Sequence, residues 1–379
     1  MINWNQPPTK PLKTNWKETK FVPKIKKSKY SIYNGILETI GDTPLIRMNN
    51  ITKSNGIECE ILGKCEFMNP GGSIKDRIAV EMIEAAEKSG KLKPGGTIIE
   101  PTSGISLAMC AAYRGYKMVA TMQDKCSYEK ELVLKSLNCQ IIRTPNDEPI
   151  DSPMSHIGKA WEIYNNTENS VVLDQYSNPY NPLTHYHYTA LEILETCDYK
   201  IDMLVIGAGT CGSLTGIGSK VKEHLPNCKI IAVDPVGSTL ANLNDASLSL
   251  QKGPFEVEGL GKHYKPGVCD SKNNKKNIFN CDETGLNFKQ PINKTLNFKG
   301  CKTNKWSKKF NEIVMDEWVK VEDKDSFLTA RQLICQEGLL IGGSSGAIMW
   351  AAMEMAKKYK YSKKNRIVVI LPDSIRNYL

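Results

Sequence analysis

Between Cys59 and Pro235 short apolar runs alternate with stretches of helical period, and that rhythm limits the fold more than any other feature. The runs read CEILGKCE, GTIIEP, KMVATM, CQIIRTP, SVVLDQY, IDMLVIGAG and CKIIAVDP, separated by amphipathic stretches such as SYEKELVLKSLN and LTGIGSKVKEHL. Parallel strands cannot be joined by a tight hairpin and need a crossover, which the helical stretches supply. The alternation therefore predicts an α/β fold, with mostly parallel twisted sheets and helices on both faces. With 379 residues the chain exceeds a usual domain of roughly 100–200 residues. Two lobes are expected: a large one from 31–85 and 190–379, and a smaller, mobile one from 86–189.

Two segments break the rhythm. Residues 1–30 hold four prolines, eight lysines and one glutamate without periodicity, which predicts a flexible basic tail. Residues 269–306 are rich in Asn and Lys and repeat LNFK at 286–289 and 296–299. Four repeated residues are too few for a repeat architecture, and the composition predicts a disordered insertion. These two appendages carry the excess of lysine behind the net charge of +9, and the body between them is mildly acidic. That distribution argues against a nucleic-acid surface. The twelve cysteines contain no C-x-x-C pair, which reads as reduced thiols inside a cell. No apolar run reaches membrane-spanning length and no signal core opens the chain, so a cytoplasmic protein is expected.

The stretch NPGGSIKDRI, Asn69–Ile78, sets a lysine at the start of a helix whose stripe is Ile78, Met82, Ala85 and Ala86. Helix N-termini favour anions over cations. Lys75 is thus either a solvated surface residue or an amine held for chemistry. Three further turns follow apolar runs and open helices: EPTSG at 100–104, GAGTCGS at 207–213 and IGGSSG at 341–346. Small residues at Gly209, Thr210, Cys211, Gly212 and Ser213 allow the main chain to curl so that N–H groups and hydroxyls converge on a phosphate. Gly207, Gly209 and Gly212 also match G-x-G-x-x-G, so a dinucleotide reading stays open at this point. Because strand ends in a parallel sheet converge on one crevice, the lysine and the three turns are expected to share a site.

NPGGSIKDRIA, EPTSG, DQYSNPYNPLTHY, GAGTCGSLTGI, VEGLG, EGLLIGGSSG and VVILPDSIRNY stand in an order and spacing that resembles pyridoxal-phosphate (PLP) enzymes of the tryptophan-synthase β type. The resemblance is strongest to the catalytic core of the cystathionine β-synthase family. It runs from about Gly35 to Leu379 except for the insertion. It implies a two-lobed PLP fold type II in which Lys75 forms the Schiff base with PLP and residues Gly209 to Ser213 hold the phosphate. Ser344 would face the pyridine nitrogen, Thr102 and Ser103 would bind the substrate carboxylate, and Gln175 would close over it. The implied reaction is β-replacement on serine by homocysteine, giving cystathionine, in a homodimer. Cysteine synthesis from O-acetylserine and sulfide, and a PLP-binding regulatory homologue, are the alternatives.

This sequence departs from the family pattern in three places. The family's T-S-G-N-T-G turn is shortened, so that Gly104 runs straight into Ile105; Cys211 stands where glycine is usual; and Lys262 stands where the family has tyrosine. Neither Cys nor His precedes Cys59, so no haem is expected, and S-adenosylmethionine control is not expected either.

Overall fold

The computed structural model describes residues 19, 21, 32–124, 126–146, 148–149, 152–241, 252–269 and 315–378. Apart from 19 and 21, the expected tail lies outside the described residues, as does the expected insertion beyond Cys269.

Two sheets build the molecule. The larger runs in the order β1 (Leu45–Arg47), β2 (Glu60–Cys65), β10 (Arg366–Leu371), β7 (Met203–Gly207), β8 (Lys229–Pro235) and β9 (Glu317–Val321). Only the β1–β2 pair is antiparallel. Its central strands read as unbroken apolar runs because both faces are covered, and the two faces divide with a period of two. Met203, Val205, Ile231, Val233, Ile367 and Val369 enter one core, with helix α10 (Gly343–Lys358) and Leu333 of α9 (Asp323–Glu337). Leu204, Ile206, Ile230, Ala232, Val368 and Ile370 enter the other, under α7 (Ala190–Thr196) and α8 (Gly212–His224).

The smaller sheet is wholly parallel, in the order β5 (Gln140–Thr144), β4 (Lys117–Gln123), β3 (Thr97–Glu100) and β6 (Ser170–Val172). Helices α2 (Lys75–Lys88) and α3 (Ile105–Arg114) cover one face through Ile78, Met82, Ile83, Leu107 and Ala108. Ala160 of α5 (His156–Asn165) packs with Ile99 and Val119 on the other. Helix α2 thus leaves the larger sheet at its N-terminus and buries its apolar face against the smaller one.

Two local features differ from the sequence reading. The apolar stretch before Gly342 reads as a strand, but it forms one bridge, Ile341 with Ser374. Only four residues separate the left-handed Gly338 that ends α9 (φ 72°) from the first residue of α10, too few to cross a sheet. The run HYTALEILETC belongs to a longer helical segment, in which α6 (Tyr180–Thr184) and α7 are joined by a π turn over His185–Thr189.

Candidate active site

The loop before α2 explains the glycines that precede Lys75. Gly72 adopts φ 84°, where a side chain would be strained, and a Cβ there would meet the Arg376 guanidinium at 2.7 Å. The loop is pinned on both sides. Ile74 N–H donates to Pro372 O at 2.8 Å, and Asp76 accepts from Gly71 N–H at 2.5 Å and from Ser106 Oγ of α3 at 2.6 Å. Lys75 is therefore delivered to the mouth of the crevice by residues from both sheets.

That crevice has a volume of about 1440 Å³ and lies at the carboxyl ends of the strands. Lys75, Thr102, Ser103, Gln175, Gly209, Thr210, Ser213 and Ser344 all line it, so the structure brings these candidates together. Cys211 and Gly212 do not line it. The Cys211 side chain is 1% exposed and packs in the core, with its backbone left-handed at φ 66°. Gly212 faces Asn181, whose Oδ1 would lie 1.9 Å from an added Cβ.

One chain of hydrogen bonds crosses the site. Lys75 Nζ donates to Thr210 Oγ1 at 3.0 Å. Asn181 Nδ2 donates to the same Thr210 oxygen at 3.2 Å and to Gln175 O at 2.8 Å. Gln175 Nε2 reaches Glu100 Oε1 at 2.9 Å and Thr102 Oγ1 at 3.2 Å, and the Thr102 hydroxyl donates to Glu100 Oε1 at 2.9 Å. On the opposite wall Ser344 Oγ donates to Asp373 Oδ1 at 2.9 Å, and the Tyr378 hydroxyl donates to the other Asp373 oxygen.

Sequence reasoning missed Glu100, Asn181 and Asp373. The signal for Glu100 was a lone acid at the end of a strand otherwise built of buried Thr97, Ile98 and Ile99.

The electrostatics bring the amine within reach of its uncharged form. Burial, and next the charge of Lys262, bring the Lys75 amine down to about 8. Burial pushes the Glu100 carboxyl up to about 7 despite its hydrogen bonds from Gln175 and Thr102.

A phosphate-bearing aldehyde cofactor fits these residues. The first-turn N–H groups of α8 have no partner within the helix and open beside Thr210, to which the Lys75 amine is hydrogen-bonded. Glu100 Oε2 and Gln175 Oε1 are enclosed polar atoms without a protein partner among the described residues.

Comparison with known proteins agrees. Residues 36–275 match the family described as pyridoxal-phosphate dependent enzyme. Cystathionine β-synthase of Mus musculus is 47% identical over 347 residues, covering 91% of this chain and 54% of that protein. The protein of the same name from Apis mellifera is 49% identical, covering 91% and 60%. The chain thus spans little more than half the length of these curated relatives. Among solved structures, a hydrogen sulfide-producing enzyme from Fusobacterium nucleatum superposes with a TM-score of 0.74 at 32% identity, covering 93% of this chain and 99% of that one. An O-acetylserine dependent cystathionine β-synthase from Helicobacter pylori gives 0.73 at 29%, covering 92% and 98%. The two-lobed fold type II implied by the sequence motifs is the fold found, and the chain belongs to the pyridoxal-phosphate dependent enzyme family.

Proposed function

We propose that this protein catalyses β-replacement on L-serine with L-homocysteine, releasing cystathionine and water. The observation that carries the reading is the buried Lys75 amine, brought down to about 8 and held 3.0 Å from the Thr210 hydroxyl of a helix-opening turn. The cystathionine β-synthase relatives at 47% and 49% identity support the choice of substrates.

PLP, when bound, supplies the electron sink that makes the substrate α-proton acidic. Residues Gly209 to Ser213 would hold its phosphate through main-chain N–H groups and the Thr210 and Ser213 hydroxyls. Lys75 would carry the cofactor and would take the substrate α-proton on Nζ. An amine near 8 accepts that proton and gives it up again close to neutral pH. Ser344 would face the ring nitrogen; its hydroxyl hydrogen is given to Asp373. Thr102 and Ser103 hold the substrate carboxylate and Gln175 covers it, the two turns being tied through Glu100. In this reading residues 31–85 and 190–379 form the PLP-binding lobe, and 86–189 is the smaller lobe that closes and excludes water.

The working form we infer is a cytoplasmic homodimer acting on small amino acids, with PLP as cofactor and no nucleic-acid or membrane partner. Among the described residues no helix is long and apolar enough to cross a membrane.

The test is product analysis by mass spectrometry with PLP-loaded protein. Cystathionine from serine and homocysteine is expected. Cysteine from O-acetylserine and sulfide, without cystathionine from serine, would move the reading to cysteine synthase. Absence of both products would leave a PLP-binding homologue.

A further inference from the structure

The carboxylate turn of this site is poor in donors. It is cut to Thr102, Ser103 and Gly104 before α3 begins at Ile105. The Thr102 hydroxyl hydrogen is already given to Glu100, and Gln175 Nε2 is spent on Glu100 and Thr102. Behind the turn stands a carboxyl group, not a cation. The substrate carboxylate therefore needs a positive partner from elsewhere in the crevice.

Four lysines line the crevice: Lys75, Lys130, Lys252 and Lys262. Lys75 is the reactive amine. Lys130 is taken, in an ion pair with Glu258. Lys252 is exposed at the rim. Lys262 is part-buried and set in place by its own backbone: its N–H donates to Ser238 Oγ at 2.9 Å, and its carbonyl accepts from Ser238 Oγ at 2.9 Å and from Thr239 N–H at 3.0 Å. Its ammonium lies 5.5 Å from the centre of the Tyr176 ring, beside Gln175. None of the ion pairs among the described residues involves it. It is close enough to the reaction centre that its charge, after burial, does most to lower the Lys75 amine.

We propose that Lys262 is a carboxylate-recognition residue of this crevice, pairing its ammonium with a carboxylate of the amino-acid substrates alongside the few donors that the short turn offers. The proposal rests on the amino-acid β-replacement reading. A charged hydrogen bond from a fixed ammonium also sets specificity, because a ligand without the carboxylate leaves that ammonium unpaired. Two carboxylates could occupy it, that of serine and that of the incoming thiol.

The experiment uses PLP-loaded wild type, K262M and K262R. Calorimetric binding of L-serine is compared with L-serinamide, and KM for L-homocysteine with KM for the carboxylate-free 2-mercaptoethanol. In K262M, affinity for one carboxylate ligand is expected to fall roughly 10- to 100-fold, with its carboxylate-free partner changing little and K262R restoring most of the loss. A loss confined to serine assigns the α-carboxylate of the first substrate, and a loss confined to homocysteine assigns that of the thiol. Equal discrimination between carboxylate and carboxylate-free ligands in wild type and K262M overturns the proposal. If no product forms with wild type, the reaction assignment fails while the serine and serinamide titrations still decide the role of Lys262.

Discussion

At the scale of single residues, the site depends on where protons and β-carbons are allowed. An amine brought down to about 8 by burial and by Lys262 is charged below that pH, and only its neutral form takes a proton from the substrate. The rate at saturating substrate, when the Lys75 amine is freed, should therefore rise with pH, be half-maximal near 8 and level off above it. A profile of kcat from a stopped assay between pH 6 and 9.5 checks this, and a flat profile would remove Lys75 as the titrating base. In Lys75→Ala, borohydride should no longer fix PLP to the chain. Gly212 supplies a second residue-scale test. A Cβ there would sit 1.9 Å from Asn181 Oδ1, and Asn181 holds both Thr210 and the Gln175 carbonyl. Because Asn181 is fully buried, it has no room to retreat. Gly212→Ala should weaken PLP retention by at least about tenfold, equivalent to about 1.4 kcal/mol, in a spectral titration. Unchanged retention would show that the phosphate turn does not lean on Asn181.

At the scale of elements, the start of α3 is the feature expected to limit the reaction step, since Gly104 in a left-handed conformation (φ 58°) leads directly into Ile105. Inserting Asn-Thr-Gly after Gly104 lengthens the turn and adds main-chain donors where a carboxylate would lie. It should raise kcat/KM for serine by roughly 10- to 100-fold, the scale of a 1 Å correction in substrate placement, while PLP dissociation changes much less. Equal kcat/KM in parent and variant would show that carboxylate placement is already complete. The same scale shows what could be read before the structure. The strands from Cys59 to Pro235 were legible because parallel strands covered on both faces must be apolar throughout, as Met203–Ile206 and Ile230–Val233 are. The antiparallel β1 was not, since three residues, two of them half-buried and one exposed, carry no pattern. The LLI stretch before Gly342 misled because Leu339 and Ile341 are apolar for burial, and not for extended pairing. In the site, the lysine and glycine turns announced themselves by small residues at helix starts. Glu100 and Asn181 did not, because their importance lies in partners 29 to 75 residues away, Gln175 for one and Gly212 and Thr210 for the other.

At the scale of the molecule, buried charges join the two sheets and give stability a characteristic pH dependence. Arg77 of α2 pairs with Glu66 and Glu192, and Lys64 of β2 pairs with Glu192 of α7, all of them nearly or fully enclosed. Burial acts to raise Glu192, but Arg77 and Lys64 outweigh it and hold the carboxyl at about 2 against an ordinary 4.5. The stability it contributes is present above 4.5 and is lost as pH falls towards 2. Glu100 and Asp76 act in the opposite sense. Burial raises Glu100 from 4.5 to about 7 and Asp76 from 3.8 to about 6, so their contribution is complete below those ordinary values and is lost as pH rises through 6 to 7. Adding the two trends puts maximum stability near pH 4 to 5 for these groups, with a decline on either side. Glu100→Gln keeps an acceptor for Thr102 but cannot ionise, so it should remove part of the alkaline decline and leave the acid limb unchanged. Thermal unfolding in one cofactor state, followed from pH 3 to 8, should show the wild-type midpoint falling between pH 5 and 7 by a few degrees, on the order expected for 1–2 kcal/mol in a protein of this size. The variant should fall less over the same interval. A Glu100→Gln curve parallel to wild type between pH 5 and 7 would mean that Glu100 is already ionised in the folded protein, with a charge from outside its present neighbours meeting its free Oε2.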